Sequence, residues 1–251
     1  MIRSRYLLLF GLIVIWQTFS YFGIFPENRV PSPLNVLSAL KNLLLVGLPP
    51  GYGLVGHILG SLHRVFWGFS FAAAISIPLG IILGWSKPLK RMADPVIEML
   101  RPIPPLAWIP ISILWFGIGI ESAAFIIFLG AFFPILLSTI AGVVSIDTIL
   151  IEASRSLGAK ERQVLLKVLV PGAMPSILTG LRIGLGIGWM TLVAAEFTGV
   201  KTGYGLGYMI MTARDIQRPD KIVAGMAMIG LLGYLMDKVL RLTEARVLRW
   251  R

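Results

Sequence analysis

Apolar residues gather along this chain into long runs separated by short polar or proline-rich breaks. A helix needs ~20 apolar residues to cross a hydrocarbon core, and runs of that scale cover 59–85, 95–117, 121–143, 174–198 and 222–242. A sixth, over 6–25, follows Arg3 and Arg5. It lacks a small-residue cleavage site and carries Trp16 and Tyr21 near its far end, so it reads as a retained helix and not as a signal peptide. The pattern therefore predicts an all-α membrane protein of six transmembrane helices, forming one transmembrane domain over residues 1–251. Residues 26–56, with Pro26, Pro31, Pro33, Pro49 and Pro50 around a short amphipathic helix near 34–46, read as a connection outside the bilayer.

One polar interruption stands apart, Ile151 to Pro171 inside a loop over 144–171. It has the form of two short helices joined by a glycine. Asp147 suits the N-cap of the first, where a carboxylate accepts from free backbone N–H groups. Gly158 falls where a left-handed C-terminal cap is wanted. Leu157 before it and Val164, Leu165 and Val168 beyond it recur at roughly helical spacing, and Pro171 is expected to stop the second helix.

Composition agrees with a membrane body: 56% of residues are hydrophobic and 14% charged, against roughly 25% charged in soluble domains. There is no cysteine, so disulfides and thiolate metal sites are excluded. The net charge of +11 would suggest nucleic acid in a soluble chain, but here it records orientation, because Lys and Arg accumulate in cytoplasmic loops. Thirteen basic residues (Arg3, Arg5, Lys87, Lys90, Arg91, Arg155, Lys160, Arg162, Lys167, Arg241, Arg246, Arg249, Arg251) fall on one side of the proposed spans. Six (Arg29, Lys41, Lys201, Arg214, Arg218, Lys221) fall on the other. The polar stretch and both termini are thus expected in the cytoplasm.

The order Glu152-Ala153-Ser154, then Gly158 after three residues, then Val168, Val170 and Pro171, resembles the coupling-loop signature of ABC importer permeases: E-A-A, three residues, G, nine residues, I-x-L-P. Ser154, Val168 and Val170 depart from it while keeping size and helix compatibility. The blocks SLHRVFWGF, LRPIPPLAWIPISILWFGIG, PGAMPSILTGLRIGLG and VAAEFTG are similar to the nitrate, sulfonate, taurine and bicarbonate subgroup of these binding-protein-dependent inner-membrane components. The resemblance implies an importer-permease (MetI-like) fold with a cytoplasmic coupling helix in a bacterial cytoplasmic membrane. The implied partners are a second copy of the chain, two cytoplasmic ATPase subunits and an extracytoplasmic binding protein. ATP and Mg belong to the partner ATPase, and this chain itself binds no cofactor, metal or nucleic acid. The implied cargo is a small oxyanion of the sulfonate, nitrate or bicarbonate class; a thiamine precursor or an aromatic acid is the alternative.

Within that frame Glu152, Ala153, Ser154, Leu157, Gly158 and Ala159 are the expected ATPase-docking residues: Glu152 to anchor, Ala153 and Ser154 to allow close approach, Gly158 to turn the chain. Pro102, Pro104, Pro105 and Pro110 after Arg101 predict a broken helix, tolerated in a membrane only beside protein or a water-filled cavity. Arg101, Pro104 and Pro105 are therefore expected to border the translocation pathway. Gly180, Gly184 and Gly188 lie four apart on one helix face, suited to tight packing or to a face that slides in gating. Intramembrane charges are informative. Arg182 is expected to snorkel or pair, Arg64 to attract an anion on the outward path, and Glu196 to pair with a basic group.

Lys201-Thr202-Gly203-Tyr204-Gly205 has the look of a potassium-channel filter, but a full span precedes it where a pore helix is needed, so it reads as a glycine-rich outer turn or gate. His57 and His63 are six apart and so on different helix faces, and no H-E-x-x-H, G-x-S-x-G or Walker A motif occurs. A catalytic constellation is not expected. A self-contained secondary transporter would require internal repeats and a carboxylate or broken-helix ion site near the midplane; no internal repeat is visible, and the carboxylates lie near span ends.

Overall fold

A computed structural model describes residues 2–23, 26, 29–49, 51–198 and 204–248, and these are helical throughout their regular structure. The helices are α1 (Ile2–Tyr21), α2 (Pro33–Leu45), α3 (Leu54–Trp85), α4 (Lys87–Leu100), α5 (Ile109–Phe116), α6 (Ile120–Val144), α7 (Thr148–Ser156), α8 (Glu161–Val164), α9 (Val170–Thr198), α10 (Leu206–Asp215) and α11 (Pro219–Val247). Of the six expected spans, α3, α6, Glu161–Phe197 and α11 are long and apolar enough to cross a membrane. The expected span 95–117 falls on two helical pieces and is not one straight helix: α4 (Lys87–Leu100) and the stretch Pro105–Phe116, a short 3-10 turn leading into α5, meet at an angle of 82°. Its prolines remove backbone donors and clash with the preceding turn, so the helix cannot continue straight. α1 runs 20 residues from Ile2 to Tyr21, and its described part includes the apolar helix Phe10–Tyr21.

Two compact units can be described. The first comprises Met1–Leu62 and Glu196–Leu232. Here the Ser32 hydroxyl caps α2 by accepting from the Asn35 N–H at 3.1 Å, and Pro33 supplies the first helical φ. Val36, Ala39 and Leu43 form the buried stripe of α2. Just before α11, Arg218 grips Asp220 at 2.9 and 2.7 Å, and that hydrogen-bonded carboxylate raises the guanidinium above its ordinary value.

The second unit, His63–Ala195 with Gly233–Arg251, is organised around α6, half buried along its apolar length. Glycines bring α3 onto one side of it. A Cβ at Gly80 would stand 2.6 Å from the Thr139 Cβ, and one at Gly84 2.7 Å from the Val143 Cβ. The Ser76 hydroxyl donates to the Phe132 carbonyl across the same seam at 3.0 Å. On another side lies the glycine face of α9. A Cβ at Gly180 would meet the Ser138 Cβ at 2.6 Å, and one at Gly184 the Ile135 Cγ1 at 2.8 Å; Gly188 lies over Ile127. Without a hydrophobic drive inside lipid, such close backbone approach is what holds helices together. Arg182 pairs with Glu244 at 3.1 Å and reaches Asp237 at 4.0 Å, which is the pairing expected of it.

The helix expected to end at Pro171 does not end there. After α8 the chain widens into one π turn, Leu165–Leu169, and passes straight into α9, giving a continuous element from Glu161 to Phe197. In the π turn the Val170 N–H reaches back to the Leu165 carbonyl, which makes room for the proline ring in the next position, where Pro171 supplies no donor.

Candidate functional site

The polar stretch forms a compact knob. The Asp147 carboxylate accepts from the Ile149 N–H at 2.9 Å and starts α7. At the other end Gly158 adopts φ +83°; its N–H donates to the Arg155 carbonyl at 2.9 Å, and the Ala159 N–H donates to the Ser154 carbonyl at 3.0 Å. This 6→1 and 5→2 pair is the Schellman motif, and it satisfies the last carbonyls of α7. The Lys160 N–H then donates to the Gln163 Oε1 at 2.8 Å, opening α8. Across the turn Arg155 makes a bidentate pair with Glu161 at 2.9 and 3.0 Å while its guanidinium lies 5.6 Å from the Trp85 ring centre. Beneath it Ile146, Ile151, Ala159 and Leu165 pack on a buried cluster of Val143, Val164, Leu169, Ala173 and Ile177. Both ends of α7 are satisfied, and one side packs on the membrane helices through the buried cluster.

Its outer side is different. Glu152, Ala153 and Gly158 are exposed, Ile149 is 67% exposed and Leu157 89%. Leu157 was expected to share a face with Val164 and Leu165; the reversal at Gly158 takes it out of that register and turns it outward. Ser154 is half-buried, its hydroxyl donating to the Ile151 carbonyl at 2.7 Å, and Ala159 packs inward. Of the six residues expected to dock, Glu152, Ala153, Leu157 and Gly158 therefore form the presented edge. Ile149, Leu150 and Arg155 belong to the knob as well. The opposite charges of Arg155 and Glu161, flanking a glycine turn, were the available signal for the last.

The expected pathway residues fall into separate places. Arg101 and Pro105 come together in a cavity of about 380 Å³ with Trp108, Gly130, Phe133 and Ile187, at the break between α4 and α5. Pro104 precedes the 3-10 turn. Gly184 and Gly188 lie in the α6–α9 seam. Arg64 is only 3% exposed.

Glu196 belongs to a cluster in the first unit that sequence reasoning did not assemble. Three consecutive backbone N–H groups at the start of α10 each meet a side chain. The Gly205 N–H donates to His57 Nδ1 at 3.1 Å, the Leu206 N–H to the Ser61 Oγ at 2.9 Å, and the Gly207 N–H to Glu196 Oε2 at 2.8 Å. The Ser61 hydroxyl in turn donates to the Glu196 carboxylate. Since Nδ1 of His57 accepts, its Nε2 carries the proton and donates to the Leu48 carbonyl at 3.0 Å. The i, i+4 spacing of His57 and Ser61 was the legible clue. Of the expected outer turn, Lys201 to Gly203 lie outside the described residues, while Tyr204 and Gly205 lead into this clamp.

The family of binding-protein-dependent transport system inner membrane components matches residues 76–249. The chain belongs to this family. It is 40% identical over 242 residues to the taurine transport system permease protein TauC of Escherichia coli K12, covering 95% of this chain and 86% of that one. It is also 36% identical over 245 residues to the bicarbonate transport system permease protein CmpB of Synechococcus elongatus, with 95% and 87% covered. Among solved structures, an inward-facing MetNI methionine ABC transporter aligns with TM-score 0.67 and 25% identity over 77% of this chain and 95% of that chain. The protein is thus an ABC transporter permease of the importer type, all-helical and multi-pass in the membrane.

Proposed function

We propose that the chain is one half of the membrane pore of an ATP-driven importer for a small oxyanion, and that the knob over 144–171 is its transmission element. Six spans over residues 1–251, α1 included, form one transmembrane domain with both termini and the knob in the cytoplasm. A second copy completes the pore about a two-fold axis. Two ATPase subunits, which carry the ATP and Mg, grip the knobs. A binding protein delivers the cargo to the outer face. ATP binding draws the two knobs together and opens the pore outward; hydrolysis resets it. The cargo assignment is supported by the relatives' own names, since taurine carries a sulfonate and bicarbonate is an oxyanion. Arg101, Pro104 and Pro105 border the pathway, with Arg64, Glu196, Gly184 and Gly188 in the helices that move around it.

The observation that carries this reading is Leu157, 89% exposed at the tip of a helix whose ends are both capped. A large apolar side chain held rigidly outside the hydrocarbon, next to an exposed carboxylate at Glu152, is the make-up of an interface and not of a solvated loop. The test is ATPase activity of the reconstituted complex, with the partner ATPase co-expressed, comparing the native chain with Glu152→Ala and Gly158→Pro. Loss of stimulation and of co-purification is expected in both variants. Full coupling in both, or a chain that retains no ATPase, would return the reading to a secondary transporter.

A further inference from the structure

A groove of about 530 Å³ opens between α3 and α6, walled by Trp67, Phe71, Ile75, Phe125 and Phe128 and bounded at one end by His63 and Glu121. Its walls are apolar and its polar end is not. The Trp67 indole N–H donates to His63 Nε2 at 2.9 Å, so the neutral imidazole of His63 carries its proton on Nδ1 and has one donor to offer. Glu121, exposed in the first turn of α6, makes no ion pair among the described residues. The end therefore presents one hydrogen-bond donor and one carboxylate.

Depth along the helices says what meets them. At 1.5 Å per residue His63 lies about 33 Å along α3 from Trp85, which touches the knob, and Glu121 about 35 Å along α6 from Val144. A hydrocarbon core is about 30 Å thick, so both polar groups stand at the headgroup level of the leaflet opposite the knob. Exposed Trp67, Trp115 and Phe116 crowd the same level, as interfacial aromatics do. Ile75 lies about 18 Å deeper than His63, near mid-membrane, so the groove runs the length of a single acyl chain.

We propose that this groove holds one phospholipid of that leaflet with an ethanolamine headgroup, its phosphate accepting from His63 Nδ1 and its ammonium donating to Glu121. The acyl chain lies along Trp67, Phe71, Phe125 and Phe128. The carboxylate sets the selectivity. A primary ammonium both hydrogen-bonds and neutralises it, a choline headgroup only neutralises it, and a phosphoglycerol headgroup brings no cation at all.

The full-length protein, reconstituted with dioleoyl phosphatidylethanolamine, phosphatidylcholine or phosphatidylglycerol and then extracted in mild detergent, would be weighed by native mass spectrometry for retained lipid. One phosphatidylethanolamine per chain is expected, favoured about tenfold over phosphatidylglycerol, the scale of one partly desolvated charge pair. Glu121→Gln, at an exposed position that tolerates the change, abolishes that preference; His63→Phe weakens retention of every phospholipid; Ala124→Trp fills the groove and removes them all. Retention without headgroup preference, or a preference that survives Glu121→Gln, overturns the proposal. So does efficient cross-linking between two copies through Phe71→Cys, a lone cysteine in a chain that has none, because the groove would then be covered by protein.

Discussion

Ser61 and Glu196, 135 residues apart in sequence, meet with the serine hydroxyl 2.9 Å from one carboxylate oxygen and 3.1 Å from the other. Both groups also face the start of α10, so the pair links α3 and the end of α9 to the first turn of a third helix. Four N–H groups at a helix start have no partner within the helix, and burial forbids water from serving them. Here His57, Ser61 and Glu196 serve three in succession. Ser61→Ala removes both a donor to a buried carboxylate and the acceptor for the Leu206 N–H. Hydrogen bonds to charged groups are worth about 1.5–3 kcal/mol, so a loss of that order is expected in thermal or denaturant unfolding. Hydrogen exchange should show the Gly205–Gly207 amides losing protection, and Ser61→Thr should restore it.

Gly205 is the tightest point of the same clamp. A Cβ there would stand 2.6 Å from Glu196 Oε1 and 2.7 Å from its carboxyl carbon. The carboxylate cannot step back without releasing Ser61 and Gly207. Gly205→Ala should therefore destabilise by about 1–3 kcal/mol, the range for forced overpacking, and should phenocopy Glu196→Gln in exchange of the Gly207 amide.

The long apolar runs made the span helices legible, because bilayer thickness fixes their length and nothing polar competes. The knob was legible for a different reason: Asp147, Gly158 and their spacing act locally, through caps that depend on a few adjacent residues. Pro171 misled because its effect depends on the π turn before it, and the sequence around Leu165–Leu169 carries no local mark of that turn. The clamp was hidden for a third reason. His57 and Ser61 share a helix face at i, i+4, but the backbone groups they serve with Glu196 lie on a helix far along the chain, and nothing in the local pattern marks which N–H groups those are. Leu157 shows the limit of periodicity itself, since one left-handed residue after it reverses the face to which it belongs.

The α6–α9 seam gives a prediction with its own control. Gly184→Leu would drive a side chain into Ile135 and the Ala131 carbonyl, whereas Gly186 has nothing within 4 Å of the Cβ it would gain. Gly186→Ala should express and melt like the native protein. Gly184→Leu should lose yield and thermal stability, by about 1–3 kcal/mol or more, since helices in lipid depend on this approach. Equal behaviour of the two would mean that the seam is loose.

Arg155 and Glu161 are 47% and 64% exposed, and an exposed ion pair contributes about 0–1 kcal/mol. Glu161→Ala is accordingly expected to leave the melting temperature of the protein nearly unchanged. Its effect should appear in transmission, because Arg155 ties the tip of the knob to Trp85 at the end of α3. Cargo transported per ATP hydrolysed, measured in liposomes, should fall in Glu161→Ala and fall further in Trp85→Ala. Arg155→Lys should behave like Glu161→Ala, since an ammonium cannot make the forked contact and lie flat over the indole as a guanidinium does.

Gly158 separates shape from space. Nothing lies within 4 Å of the position a Cβ would take, so no steric argument opposes Gly158→Ala. The backbone at φ +83° does, at a cost of roughly 1–2 kcal/mol for an alanine in the left-handed region. Asparagine enters that region more readily, so Gly158→Asn should keep most of the stability and most of the ATPase coupling that Gly158→Ala loses. The order expected in both melting temperature and coupling is glycine, asparagine, alanine. An alanine variant as stable and as well coupled as the native chain would show that the Schellman turn is not what holds Leu157 at the tip, and the docking edge would have to be sought on the Ile149–Ala153 side of α7 alone.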